Sequence, residues 1–236
     1  MLKFFLGGLL AATLISTPSH AADMRNVQTF RDAKRELTKI YAQNPQATTL
    51  YCGCDIRWQG KKMVPDWGRC GFQPRKQPAR ASRIEWENMM PAADFGRQLQ
   101  CWQQGGRKNC ADNDPVYAQM EGDMHNLAPA IGEVNGDRLN FQYNDWNGRA
   151  GQYGQCEMVI DTQRKMAQPP ERSRGVVARA ILYMSEAHNI RLSDAQRKLY
   201  EAWNNKYPVT DWECHRDDLI AAVQGNHNRF IQEKCH

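Results

Sequence analysis

Downstream of its first 21 residues this 236-residue sequence has no apolar run that could span a bilayer, no internal repeat and no low-complexity linker. The first absence argues against a membrane-embedded chain, and the other two leave a solenoid or a second domain without support. The chain also has no Cys-x-x-Cys pair. The tight cysteines of "YCGCDI" are spaced Cys-x-Cys and no second close pair answers them, so disulfides are the stronger reading and a zinc site the weaker. Acidic residues are not in excess: Lys+Arg number 31 against Asp+Glu 26, a net charge of +5 with a pI near 8.8. That balance suits an anionic partner without proving one.

What is present starts with the leader. "MLKFFLGGLLAATLISTPSHA" carries Lys3, an apolar run from Phe4 to Ile15, and small residues up to Ala21. This layout predicts a secretory signal peptide over residues 1–21, cleaved after Ala21 or Ala22. The run is shorter than the roughly 20 residues of a spanning helix, so no membrane anchor is expected. Residues 22–236 then form one exported domain. All eight cysteines lie in that part, an even number, which predicts up to four disulfides in an oxidising compartment, with pairing left open.

Periodicity predicts an α+β class: a single mixed domain with more helix than strand. Val27, Phe30, Ala33, Leu37 and Ile40 place a first amphipathic helix within residues 23–44. Short strands and loops follow from 48 to 83, with another strand in "ASRIEWEN". "PAADFGRQLQCWQQ" opens a helix near Pro91, a short helix spans Val116 to Met124, and another starts near Gly132. "PPERSRGVVARAILYMSEAHNI" is the clearest helix, with Val176, Ala180, Ile181 and Met184 on one stripe. Ser193 caps the next, which stops before Pro208, and a last helix follows from Asp211.

Basic clusters at 57–62, 73–83 and 105–109, interleaved with Trp58, Trp67 and Phe72, have the composition of a surface that tracks phosphates and stacks bases. A solvated face is the plainer alternative. Within "RIEWENMMPA", Glu87 is a suitable carboxylate for a hard divalent cation, and Asn135 in "GEVNGDR" offers an amide oxygen from another element. Arg107 in "GGRKN" has the fork geometry for a phosphate oxygen. Singly, each has a duller explanation: a surface carboxylate, a turn asparagine, a solvated cation. His125 in "DMHNL" reads first as a structural histidine.

Several long stretches shift those odds. "YCGCDIRWQGKK", "RASRIEWENMMPAADFGRQLQCWQQGGRKNC", "DPVYAQMEGDMHNLAPAIGEVNGDRLNF", "WNGRAGQYGQC", "PPERSRGVVARAILYM" and "WNNKYPVTDWECHRD" resemble the bacterial endonuclease I family of periplasmic and secreted nucleases, collinearly over essentially the whole of residues 22–236. The resemblance implies a ββα-metal (His-Me finger) site in a mixed α+β domain, Mg²⁺ or another divalent cation as cofactor, and DNA, with RNA as a second substrate. It also implies a monomer. Glu87 and Asn135 match the metal ligands, Arg107 the arginine at the scissile phosphate, and Glu121 a supporting glutamate. In the family's motif a histidine follows the ligand glutamate and takes a proton from the attacking water; here that position is Asn88, whose amide has no useful basicity. Loss of a general base typically costs roughly 10² to 10⁴ in rate. Three readings of Asn88 stay open: an inactivating substitution, a natural homologue of weak or no activity, or rescue by hydroxide or a nearby histidine. The expected protein is an exported Mg²⁺-dependent endonuclease of low sequence preference, with activity reduced or lost; the alternative is a catalytically silent nucleic-acid-binding homologue.

Overall fold

The computed structural model describes Val27 and residues 29–235; the predicted leader lies outside the described residues. Helix α1 (Phe30–Ala42) starts where the Thr29 side chain accepts from the Asp32 amide, and it buries Ala33, Leu37 and Ile40 on one stripe. Strands β1 (Ile56–Gln59) and β2 (Lys62–Pro65) form an antiparallel hairpin. The short helices α2 (Trp67–Cys70) and α3 (Pro78–Ala81) lead to β3 (Ile84–Asn88).

One continuous helix does not follow Pro91. Helix α4 (Ala92–Gly96) ends, Leu99 is extended, and α5 (Gln100–Gln103) begins again. Trp102 folds back onto α4 so closely that a Cβ on Gly96 would lie 2.1 Å from its ring, which requires the chain to turn between them. Helix α6 (Gly106–Asn113) and the Asp114-capped α7 (Pro115–Glu121) come next, then a 3₁₀ turn (Met124–Asn126), strand β4 (Leu127–Ile131) and helix α8 (Gly132–Arg138). The helix expected over Val116 to Met124 therefore ends at Glu121.

Strands β5 (Gln142–Tyr143), β6 (Val159–Asp161) and β7 (Met166–Gln168) make a sheet of order β5-β7-β6. Helices α9 (Glu171–Ala187), α10 (Asp194–Lys206), α11 (Asp211–Gln224) and α12 (Arg229–Gln232) complete the chain. The α+β class with helix in excess is met. Ser193 closes a capping box with Gln196, as its position predicts. Helix α9 departs from its expected single stripe: it is buried on most sides, and even Arg179 is enclosed, paired with Glu213 at 2.8 and 2.9 Å.

All eight cysteines pair, as Cys52–Cys156, Cys54–Cys70, Cys101–Cys110 and Cys214–Cys235. Both cysteines of "YCGC" are consumed in this way, which removes the zinc reading. The antiparallel pair β3–β4, with Glu87 opposite Ala128, lies between two apolar clusters. Strand β4 is buried throughout and continues directly into α8, which returns over the pair.

Candidate functional site

Alternation along β3 sends Trp86 to one face, where it meets Tyr41 edge-on at 5.4 Å, and Glu85 and Glu87 to the other, under α8. On α8, Asn135 and Arg138 are three residues apart and therefore share a side. Two rungs result. Asn135 Nδ2 donates to Glu85 Oε2 at 2.9 Å, and Arg138 Nε donates to Glu87 Oε1 at 2.6 Å, with Arg138 Nη2 bonding the same oxygen and the Asn88 carbonyl. The close approach needs glycine at the start of α8: a Cβ on Gly132 would lie 2.5 Å from the Arg80 carbonyl oxygen. Glu133, fully buried, accepts from the backbone amides of Arg75, Lys76 and Gln77 and so anchors the basic loop to the helix.

Glu87 is 2% exposed. Besides Arg138, its Oε1 accepts from Tyr51 Oη at 2.5 Å, and Tyr51 Oη lies 2.5 Å from Tyr143 Oη. Burial raises the Glu87 carboxyl above its ordinary range, with the Arg138 charge and the Tyr51 bond opposing. Burial is the largest influence on Arg138 and works against its charge, but Glu87, Tyr143 and Tyr51 together outweigh it and hold the guanidinium well above its usual value. Tyr51 and Tyr143 are both pushed up, first by burial, and stay neutral donors.

A cleft of about 690 Å³ is bordered by both faces of β3, with Glu85 and Glu87 from one and Trp86 and Asn88 from the other, and by Asn135 and Arg138 of α8. Of the sequence-predicted residues, Glu87, Asn88, Arg107 and Asn135 all line it. Glu121 stands behind Arg107, accepting from its Nε at 2.7 Å and from Tyr117 Oη at 3.2 Å. Helix α6, which carries Arg107, is stapled to α5 by Cys101–Cys110. Asn88 Nδ2 and Arg138 Nη1 are buried donors with no hydrogen-bond partner.

Two expectations need correction. Phe72 is core, stacked on Tyr153, and Trp67 and Trp58 pack half-buried against the two clusters, Trp67 at 5.8 Å from Phe72, so these rings pack inward and are not a row of stacking platforms. The aromatic residues lining the cleft are Phe30, Trp86 and Trp102. The basic stretch 73–83 is only in part a free basic surface: Arg75 pairs with Asp137 and Arg80 and Arg83 with Glu85, while the Lys76 and Arg83 side chains stay exposed. His125 faces away. It lines a separate cavity of about 390 Å³ and its Nε2 meets the Asn226 carbonyl at 2.9 Å.

Tyr51, Tyr143, Arg138 and Leu139 are site residues that sequence reasoning missed. Helical spacing from Asn135 signals Arg138; nothing local signals the tyrosines. Leu139 ends α8 at φ 53°, ψ −126°, and the Phe141 amide donates to the Arg138 carbonyl at 3.0 Å. That is a type II′ turn with leucine at the position that glycine normally takes, at a cost on the order of 1–3 kcal/mol.

The donor set fits a hard cation. The hydrogen bonds described above engage Glu87 Oε1 and Asn135 Nδ2, so Glu87 Oε2 and Asn135 Oδ1 remain as two hard oxygens on adjacent elements. Among the described residues the cluster of three His, Cys or acidic side chains with metal-ligand spacing is Asp217, Asp218 and His227, outside this cleft, where Asp217 Oδ2 and His227 Nδ1 are hydrogen-bonded at 2.6 Å.

The sequence profile of the family Endonuclease I matches residues 29–235. The chain belongs to the endonuclease I family. Among its relatives, an extracellular deoxyribonuclease of Aeromonas hydrophila is 56% identical over 228 residues, 96% of each chain. A periplasmic deoxyribonuclease of the same organism is 54% identical, covering 94% of this chain and 92% of the relative. Endonuclease-1 of Buchnera aphidicola subsp. Acyrthosiphon pisum is 47% identical over 90% of this chain and 84% of its own. The match runs across β3, α6, α7, β4 and α8, so the whole cleft lies within it.

Proposed function

We propose that the cleft is the active site of an exported DNA endonuclease that uses Mg²⁺, with β3, β4 and α8 as its metal finger. The observation that carries the reading is the convergence of Glu87, Asn88, Arg107 and Asn135, from three elements up to 48 residues apart in sequence, on one cleft. Glu87 and Asn135 would hold the cation, which when bound offsets the charge that builds on the phosphate oxygens. Arg107, released from Glu121, takes a phosphate oxygen on the opposite wall. Asn88 Nδ2, a buried donor without a partner, holds the attacking water by its oxygen; an amide orients that water but does not take its proton. The predicted leader and the extracellular and periplasmic names of the relatives support export.

Asn88 favours a second reading, a homologue that keeps the cleft and binds DNA without turnover. Supercoiled plasmid with the mature chain, with Mg²⁺ or with EDTA, separates the two. The first reading expects slow nicking that requires the metal and disappears in Arg107→Ala. Salt-sensitive DNA binding with no nicking above background at any protein concentration would establish the second.

A further inference from the structure

Leu139 is 62% exposed; with Val116, at 51%, it makes up the strongly exposed large apolar side chains among the described residues. It is also one of three non-glycine residues there with positive φ. The two properties compound each other. A type II′ turn selects glycine at this position because a Cβ is disfavoured, and a solvent-facing position gives no burial to offset it. A glycine or asparagine would make the same turn with less strain and no exposed hydrocarbon. Strained backbone of this kind is characteristic of functional sites.

The place of the residue says what the function is. Leu139 lines the cleft, directly follows Arg138, and donates its amide to the Asn135 carbonyl at 3.3 Å. The same cleft holds Lys34, Arg80 and Arg107. Arg80 and Arg107 there are paired with Glu85 and Glu121; an apolar tip in the same cleft, one residue beyond the side chain that pairs with Glu87, suits a wedge beside a phosphate-binding groove. Proteins that unstack duplex DNA insert leucine or similar side chains between base steps while neighbouring cations hold the backbone.

Resting on the nuclease reading above, we propose that Leu139 is a wedge that enters the base stack of duplex DNA beside the bound phosphate, unstacking one step and fixing the backbone against Asn135 and Glu87. The turn that carries it is rigid, because the Phe141 amide and the Leu139 amide are both tied to α8 carbonyls. The wedge therefore moves with the helix that carries Asn135. Since a base step of any sequence can be opened, this contact adds affinity without reading bases.

The test uses the mature chain at low salt without divalent metal, a 30-base-pair duplex carrying 2-aminopurine near its centre, and the matching single strand. Binding of duplex by the unmodified chain should raise 2-aminopurine fluorescence as the base unstacks. Leu139→Ala and Leu139→Gly should abolish that rise and weaken duplex binding roughly tenfold, the loss expected for one buried leucine side chain, while leaving single-strand affinity unchanged. Leu139→Gly should also melt at a higher temperature than the unmodified chain, so its loss of signal is not unfolding. Val116→Ala, exposed but outside the cleft, should change neither readout. Duplex binding with no fluorescence rise, or a rise equally strong in Leu139→Gly, overturns the wedge alone. Absence of duplex binding by the unmodified chain overturns the wedge together with the nuclease reading.

Discussion

In the cleft, Asn88 Nδ2 and Arg138 Nη1 are buried donors without partners, whereas behind β4 a single carboxylate, Asp123, accepts from Tyr183, His188, Gln224 and the His125 amide. The four described histidines, His125, His188, His215 and His227, bond to Asn226, Asp123, Asn44 and Asp217 respectively, and none lines the cleft. The described histidines are spent on structure, and the charged and amide side chains that line the cleft are cations, carboxylates and asparagines. A base cannot be borrowed from His125, which opens onto the other cavity. On the proposed reading, the difference is that this cleft has cations for a phosphate and no histidine to take a proton.

The comparison breaks most directly at position 88. Asn88→His puts an imidazole into the cleft and should raise Mg²⁺-dependent plasmid nicking roughly 10²- to 10⁴-fold. No gain would mean that the cleft does not lack a base. Next in size, Arg138→Leu leaves the Glu87 carboxylate buried without its cation and should destabilise the fold by roughly 3–5 kcal/mol in urea unfolding. A further change of Glu87 to leucine should recover much of that loss; if it does not, Arg138 acts through packing rather than charge.

A smaller effect tests the interior. Burial lowers the His125 pKa, so the unfolded chain binds its proton first as pH falls below about 6.5, and stability should drop by up to about 1.4 kcal/mol per pH unit in that window. His125→Gln should flatten the slope between pH 7 and 5. For Asp123, burial is the largest influence and would raise the carboxyl, but its contacts with His188, His125 and Gln224 together hold it below its ordinary value; its contribution is present above about pH 4 and is lost only in stronger acid. The smallest effect is at the rim. Glu121→Gln weakens the tie between the buried Glu121 and the half-exposed Arg107, worth on the order of 1 kcal/mol, and should tighten low-salt DNA binding roughly two- to fivefold. Weaker binding would make Glu121 a support for Arg107 in its working position rather than a competitor for it.

Strand β3 is legible in the sequence because alternation places Glu85 and Glu87 together, and α8 begins where a helical start is expected, at Gly132. The cap at Ser193 is local chemistry and is met in detail. What is not legible depends on distant partners. Arg138 reads as an ordinary surface cation until a carboxylate 51 residues away is laid beneath it, and Tyr51 and Tyr143 join the same oxygen from opposite sides of the chain. Disulfide pairing escapes for the same reason. The stacking surface inferred from Trp58, Trp67 and Phe72 fails because composition does not say which side of a short hairpin meets the core.

The Cys52–Cys156 bond joins residues 104 positions apart, and Glu87, Asn88, Arg107, Glu121, Asn135 and Leu139 all lie between them. The site is thus carried on a covalently closed ring. A single backbone cut anywhere on that ring opens it but separates nothing, and both fragments stay joined through sulfur. A protein whose surroundings contain proteases can in this way be nicked within its working part and keep every piece of it.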